Sequence, residues 1–484
     1  MRIQTLALLT ATVIAASPQR QAPAATAEDF GYGSMKLNSV AVRGQIPLLV
    51  CIYQLTSVPG FFFGSLRADA VTVFDRLAFG PGPSLNLAGY FSENSQGQFS
   101  HSRAAVVGPV VLDSATTSTL LAQPYDGTTT PGGLDGGAGI GYMLQQVAQL
   151  AGYNFAQWDA NGDGVVTPDE LNILIVGNMG GSSGATRPIG ANGLGVSVPV
   201  PGEPGRFVTL KGMVSNLDQY ASFIIFAHEL SHVLGTYDLR AVNQNNDGLA
   251  LTGGTNPGGS DSPPITFHLD PWHKMLFGWV RPRIFELATG GVASVAAAQV
   301  VSSESPVILY SPGRGAAEYF LIEYRSNQMP GGGGYDRNAA LDTTGSTNGM
   351  ALWHYRADRG PVLLHYGAPS FVPGGSGLWT GMTPLLKWYN GASTCVQLNL
   401  IATDANRSRM TFEWIAPSQT WVDFQFAGIE NGSFANPFNS ITEAANVATH
   451  GGTVKIKTGS SSVWPSLTKR LTLEAVGGPV TISP

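Results

Sequence analysis

Apolar runs broken by glycine and proline divide the chain into three successive textures. In the first, wholly apolar runs alternate with segments of helical spacing. Pro47–Tyr53 (PLLVCIY) has no polar side, the pattern of a strand buried on both faces. Val106–Leu112 (VVGPVVL) and Leu171–Val176 (LNILIV) also predict strands. Ala68–Ala78, Leu85–Ser92 and Gly141–Ala151 space their apolar residues at helical intervals. The glycine-rich stretch Gly177–Gly195 predicts a loop. A helix is expected from about Leu217 to Leu234, capped by Ser215 or Asn216 and stopped by Gly235. Strands alternating with helices predict an α/β domain reaching about residue 283.

From 284 to 416 the pattern changes to short β-type runs, among them Val307–Tyr310, Tyr319–Tyr324, Met350–Tyr355 and Val396–Ile401, separated by Gly and Pro clusters such as Gly331–Gly334. This predicts an all-β, sandwich-like module. From 417 to 484 a short helix is followed by the strands GGTVKIKTG, LTKRLTLEAVGG and VTI. Their order resembles the cap and first coils of a right-handed parallel β-helix. One or two such coils bury little by themselves.

Composition refines this picture. Charged residues make up 12%, glycine is 61 of 484 and the net charge is −6. The charged fraction is about half that of an average globular chain, which suits a loop-rich exported protein. With no basic run, nucleic acid is not an expected partner. Arg2, the apolar segment Leu6–Ala16 and the small-residue site Ala25-Thr26-Ala27 predict a secretory signal over residues 1–27, hence a secreted, extracellular product. No apolar stretch reaches the roughly 20 residues of a membrane span. The two cysteines, Cys51 and Cys395, exclude a cysteine-based zinc cluster. They read as buried, unpaired side chains, with a long-range disulfide as the alternative in an oxidising compartment.

The chemistry is concentrated in residues 228–238, HELSHVLGTYD. His228 and His232 lie one helical turn apart on one face. Two neutral imidazoles so placed can bind one Zn2+. Glu229, beside the first histidine, can act as general base toward a zinc-activated water. Gly235 can end the helix in a left-handed conformation, and Asp238 can then supply the third ligand. Chance alone would give an HExxH in roughly 0.004 of chains of this composition.

With its Gly and Asp, this segment resembles the HExxHxxGxxD signature of the immune inhibitor A family of secreted metallopeptidases. Phe91–Phe99 (FSENSQGQF), Asp270–Trp279 (DPWHKMLFGW), Tyr319–Arg325 (YFLIEYR) and Gly349–His354 (GMALWH) resemble further elements of that family, in its order. The resemblance covers residues 40–415. It implies a metzincin-like zinc peptidase domain over 28–283, then the β module over 284–416, and hydrolysis of peptide bonds in protein or peptide substrates. The clan's methionine turn has no counterpart at Ala250–Gly254 (ALTGG), and the setting of Met275 resembles a later family element. No long propeptide separates Ala27 from the first strand. His268 and His273 read as structural residues.

A second metal pattern is DANGDGVVTPDE at 159–170. Asp159, Asn161, Asp163, Val165 (through its carbonyl), Thr167 and Glu170 occupy the ligand positions of a Ca2+ loop, and Gly164 its sharp turn. Because a strand follows, a single structural Ca2+ is expected rather than a paired EF-hand, with an Asx-rich turn that binds no metal as the alternative. Asn245–Gly248 reads as a turn. The competing functional reading is a surface protein that binds glycans or proteins through its β modules and carries a decayed peptidase domain. The intact Glu229 argues against decay.

Overall fold

β1 (Gly44–Leu55) is buried continuously from Leu48 to Tyr53 because each of its faces enters a different core. Leu48, Val50 and Ile52 face one core, and Leu49, Cys51 and Tyr53 face the other. A strand covered on both sides needs no polar face, so the period-2 alternation expected of a half-exposed strand is absent. In the computed structural model the described residues are 25–34, 42–81, 86–125, 128, 132–179, 184–236, 238–239, 268–302, 305–327, 334–336, 348–358, 360–364, 379, 381–465, 467 and 469–483. Leu6–Ala16, Asn245–Gly248 and Ala250–Gly254 lie outside them.

Five helices and eight strands make up the N-terminal part of the described chain: α1 (Ala70–Phe79), α2 (Leu87–Asn94), β2 (Phe99–Leu112), α3 (Ser114–Leu121), α4 (Gly137–Leu150), β3 (Val165–Val166), β4 (Asn172–Gly177), β5 (Gly184–Pro188), β6 (Val196–Pro199), β7 (Phe207–Leu210), β8 (Met213–Asp218) and α5 (Phe223–Leu234) join β1. The main sheet has the order β2-β1-β4-β8-β5. Its first four strands are parallel, and β5 pairs antiparallel with β8 at the edge. Helices α1, α2 and α5 contribute to the core on one face, and α4 to the core on the other.

Two expectations are corrected here. The glycine-rich stretch is not loop throughout, because Gly184–Pro188 forms the sheet's edge strand. Nor does the helix start near Leu217: Met213–Asp218 is a strand bonded on both sides, and α5 begins only at Phe223, after Ser222. Polar groups drive the break. Asp218 Oδ1 accepts the Tyr220 amide at 2.9 Å, and Gln219 holds both the Ser65 carbonyl (2.9 Å) and the Arg67 amide (2.7 Å). A continuous helix would forfeit these bonds and the β8 ladder.

Two further sheets follow. The first, built from β9 (Arg283–Glu286), β11 (Val307–Tyr310), β12 (Glu318–Ser326), β13 (Asn348–Arg356) and β14 (Gly360–Leu364), has the order β14-β13-β12-β11-β9. The second is antiparallel, with β10 (Gly291–Ala296), β16 (Arg409–Ile415) and β15 (Gln397–Thr403) in that order. All nine residues of β12 are buried. Its Phe320, Ile322 and Tyr324 meet Val295, Met410 and Phe412 of the three-stranded sheet. Its Tyr319 and Leu321 join the core beneath α5 instead. The five-stranded sheet therefore lies between the α/β part and the second sheet. The described fold is mixed α and β, rich in strands.

Charged groups are buried where the α/β part meets β12. Arg325 and Asp336 have no exposed surface, and Lys274 and Glu323 almost none. Lys274 Nζ donates to His268 Nδ1 at 2.9 Å, so His268 carries its proton on Nε2, 2.7 Å from Glu93 Oε1. Burial, reinforced by the Lys274 charge, holds the His268 pKa well below its ordinary value. Asp270 caps the short helix Pro271–Leu276 and pairs with His273 at 2.6 Å.

His101 gives a pH test of the fold. Its ring lies 5.0 Å from both Phe91 and Phe99, and Nε2 is 2.9 Å from Asn172 Oδ1. Burial pushes its pKa down from 6.5 to about 4. Between these values the unfolded chain binds a proton that the folded chain excludes. Stability therefore falls as pH drops from 6.5 to 4, by about 3 kcal/mol from this group. His101→Gln should flatten the plot of urea midpoint against pH across that window. An unchanged slope would contradict the assignment.

The tail forms a parallel three-stranded sheet of β17 (Gln419–Val422), β18 (Thr453–Ser461) and β19 (Thr472–Ile482). The helix Ile441–Val447 covers it, with Ser440 Oγ at its N-cap accepting the Glu443 amide and donating to the Glu443 carboxylate. Its small core contains Val422, Phe438, Ile441, Val454 and Ile456, together with Cys395. Cys51 and Cys395 are both free and sit in different cores. Burial raises both thiols above the ordinary range, Cys395 to about 11. Among the described residues no helix is long and apolar enough to cross a membrane.

Candidate metal centre

Helix α5 is apolar on the sides that meet the sheet and α2, with Phe226, Ala227, Leu230, Val233 and Leu234 all buried. His228 and His232 lie on the remaining, partly open face, with side chains 18% and 15% exposed. Gly235 ends the helix at φ 112°, a conformation costly for any residue with a Cβ. The Thr236 amide then bonds back to the Ser231 carbonyl at 3.2 Å. That reversal brings Asp238 over the histidine pair.

The three ligand atoms converge. His228 Nε2 and His232 Nε2 stand 3.0 Å apart, and Asp238 Oδ1 lies 3.2 Å from the first and 3.6 Å from the second. Tetrahedral coordination at a Zn–N distance near 2.05 Å places ligand atoms about 3.3 Å apart. His232 Nδ1 is 2.9 Å from the Thr236 carbonyl, an acceptor only, so this nitrogen carries the proton and Nε2 presents its lone pair. Ser231 Oγ donates to the His228 carbonyl at 2.7 Å and lies 2.8 Å from Thr236 Oγ1, which fixes the helix end. Two imidazole nitrogens and a carboxylate oxygen so placed could hold one metal ion between them. Among the described residues, these three form the group of His, Cys, Asp and Glu side chains whose ligand atoms all lie within 4.8 Å of one another.

Glu229 is buried and meets β5. Its Oε2 lies 2.8 Å from Thr186 Oγ1, which also lies 2.7 Å from the Glu229 carbonyl and 3.3 Å from Ser215 Oγ. Gly184 makes room here: a Cβ on it would come within 3.1 Å of Glu229 Cγ. The sequence reading missed Thr186, Ser215 and Gly184 because it assigned their segments to a loop and a helix. Their only early signal is the run Gly184-Ala185-Thr186-Arg187, a strand flanked by glycine and proline.

Residues 159–170 lie apart from this centre and close on themselves. Asp159 accepts the amides of Asp163 (3.1 Å) and Gly164 (2.9 Å), and Asn161 accepts that of Asp163 (2.9 Å). Glu170 accepts from the amides of Ala160 and Thr167, both at 3.0 Å. Gly162 and Gly164 have positive φ, and Val165–Val166 pairs with Thr209–Leu210. His268, His273 and Asp270 are placed in the buried junction rather than at the metal centre.

Compared with models of known protein families, the chain matches none, and no curated protein matches it significantly.

Proposed function

We propose that this chain is a secreted zinc-dependent endopeptidase with a metzincin-like catalytic domain of the immune inhibitor A kind. The observation that carries the reading is the convergence of His228, His232 and Asp238 within 3.0–3.6 Å, beside a buried Glu229 on the same helix. Two imidazoles and one carboxylate leave a fourth position open, as a catalytic zinc requires. Bound there, zinc would supply Lewis acidity toward water and the scissile carbonyl. Glu229 takes the proton from the attacking water and delivers it to the leaving amine. β5, with β8 as its one ladder partner among the described strands, offers an edge along which an extended peptide can pair. The β-sheet module and the tail, read as the opening coils of a right-handed β-helix, complete the proposed architecture.

The ligand set is tested by metal content. Asp238→Ala should lose most of its zinc, while Asp270→Ala should keep one zinc per chain. Equal zinc in the two purified variants would contradict the assignment.

The 159–170 loop is proposed to hold a structural Ca2+ through Asp159, Asn161, Asp163, the Val165 carbonyl, Thr167 and Glu170. The two positive-φ glycines and the inward-turned carboxylates support this. A ligand that binds only the folded chain raises its apparent stability. Calcium added to metal-stripped protein should raise Tm by several degrees, and Asp163→Ala should abolish the shift. A titration without any shift would remove the site.

A further inference from the structure

We infer that Thr186 is a positioning residue that serves Glu229 in both of its protonation states. The inference rests on the peptidase reading above. Thr186 sits in the middle of β5, directly opposite Ser215 of β8. Its hydroxyl is within hydrogen-bonding distance of two oxygens of one residue, Glu229 Oε2 at 2.8 Å and the Glu229 carbonyl at 2.7 Å. A hydroxyl carries one proton and can also accept. While Glu229 is a carboxylate, Thr186 donates to Oε2 and pins that oxygen, which leaves the other for the water. Once Glu229 has taken the water's proton on that other oxygen, Oε2 remains an acceptor and keeps its bond from Thr186 Oγ1. When the proton passes from that oxygen to the leaving amine, the Thr186 bond to Oε2 is unchanged, and Thr186 keeps its own proton throughout.

No buried polar group is stranded at either stage, so the proton can move without a desolvation penalty at the base. A side chain without a donor at this position would leave Oε2 without this bond in both states. The absence of a side chain at Gly184 allows this close approach. A Cβ there would stand 2.9 Å from Leu217 Cδ2 as well as 3.1 Å from Glu229 Cγ. Thr186 thereby joins the base to β5, the strand along which substrate is proposed to lie.

Thr186→Val and Thr186→Ser, each loaded with zinc, test this. Val should lower kcat about 10- to 100-fold, with KM and zinc content unchanged. Ser, which keeps the hydroxyl, should restore kcat to within about threefold of the unaltered chain. A second readout needs no metal. In metal-free protein, a cycle of Thr186→Val and Glu229→Leu should be non-additive, by about fivefold or more in the unfolding equilibrium constant. Full kcat in the Val variant, a Ser variant as slow as the Val variant, or an additive cycle would each overturn the role of Thr186. An unaltered chain that binds zinc yet cleaves no peptide would overturn the peptidase reading itself.

Discussion

Glu229→Gln should reduce kcat for peptide hydrolysis by ~100- to 10,000-fold while leaving zinc content and the urea midpoint close to those of the unaltered chain. The substitution is nearly isosteric. Its amide oxygen can still accept from Thr186 Oγ1, which lies 2.8 Å from Oε2 in the unaltered chain. It also removes a charge from a buried position, so folding loses little. What disappears is basicity: an amide cannot take a proton from water at neutral pH. Glu229 is not among the three converging ligand atoms, so metal binding should persist. A variant that hydrolyses peptides at a near-normal rate would show that another group is the base.

Arg325→Ala should destabilise the chain by about 3–5 kcal/mol, a large share of the roughly 5–15 kcal/mol typical of a folded domain. Arg325 has no exposed surface. Its Nε donates to Glu323 at 2.6 Å, its Nη1 to Asp336 at 3.1 Å and its Nη2 to the Leu269 carbonyl at 3.2 Å. Removing the guanidinium leaves two buried carboxylates with Lys274 as the remaining nearby cation, 3.4 Å from Glu323. The cost comes from those uncompensated charges rather than from the value of the pairs themselves. The same cluster ties α2, through Glu93, to β12 and to the Pro271–Leu276 helix, so its loss should loosen the junction between the α/β part and the β module. Urea unfolding measures the effect. A loss under 1 kcal/mol would mean that the junction rests on apolar packing alone.

The sequence revealed the elements that apolar patterning controls. The buried strand at Pro47–Tyr53, the helix around Gly141–Ala151 and the β runs at Val307–Tyr310 and Tyr319–Tyr324 all appear as strand or helix. It also revealed the HELSH helix and its Gly235 stop, because metal ligation and left-handed backbone demand particular residue types at fixed spacing. It concealed β8, where buried Ser215, Asn216 and Asp218 take the place of apolar residues. Those polar side chains are tolerated only because partners far along the chain satisfy them, such as Tyr53, whose hydroxyl donates to Asn216 Oδ1 at 3.3 Å. The junction was hidden for the same reason. Glu93, His268, Lys274, Glu323 and Arg325 are scattered over more than two hundred residues, and no local pattern marks a charge as buried. β5 was read as loop because its short run lies among glycines, although Thr186 within it touches the proposed base.

The most direct test of the central claim is casein hydrolysis by the purified chain, measured after its metal is stripped and again after one equivalent of zinc is restored. Hydrolysis should vanish on stripping and return with the single equivalent, because the three proposed ligands and one open position would hold one catalytic metal. A zinc-loaded chain that leaves casein intact, or a stripped chain that still cleaves it, would contradict the account.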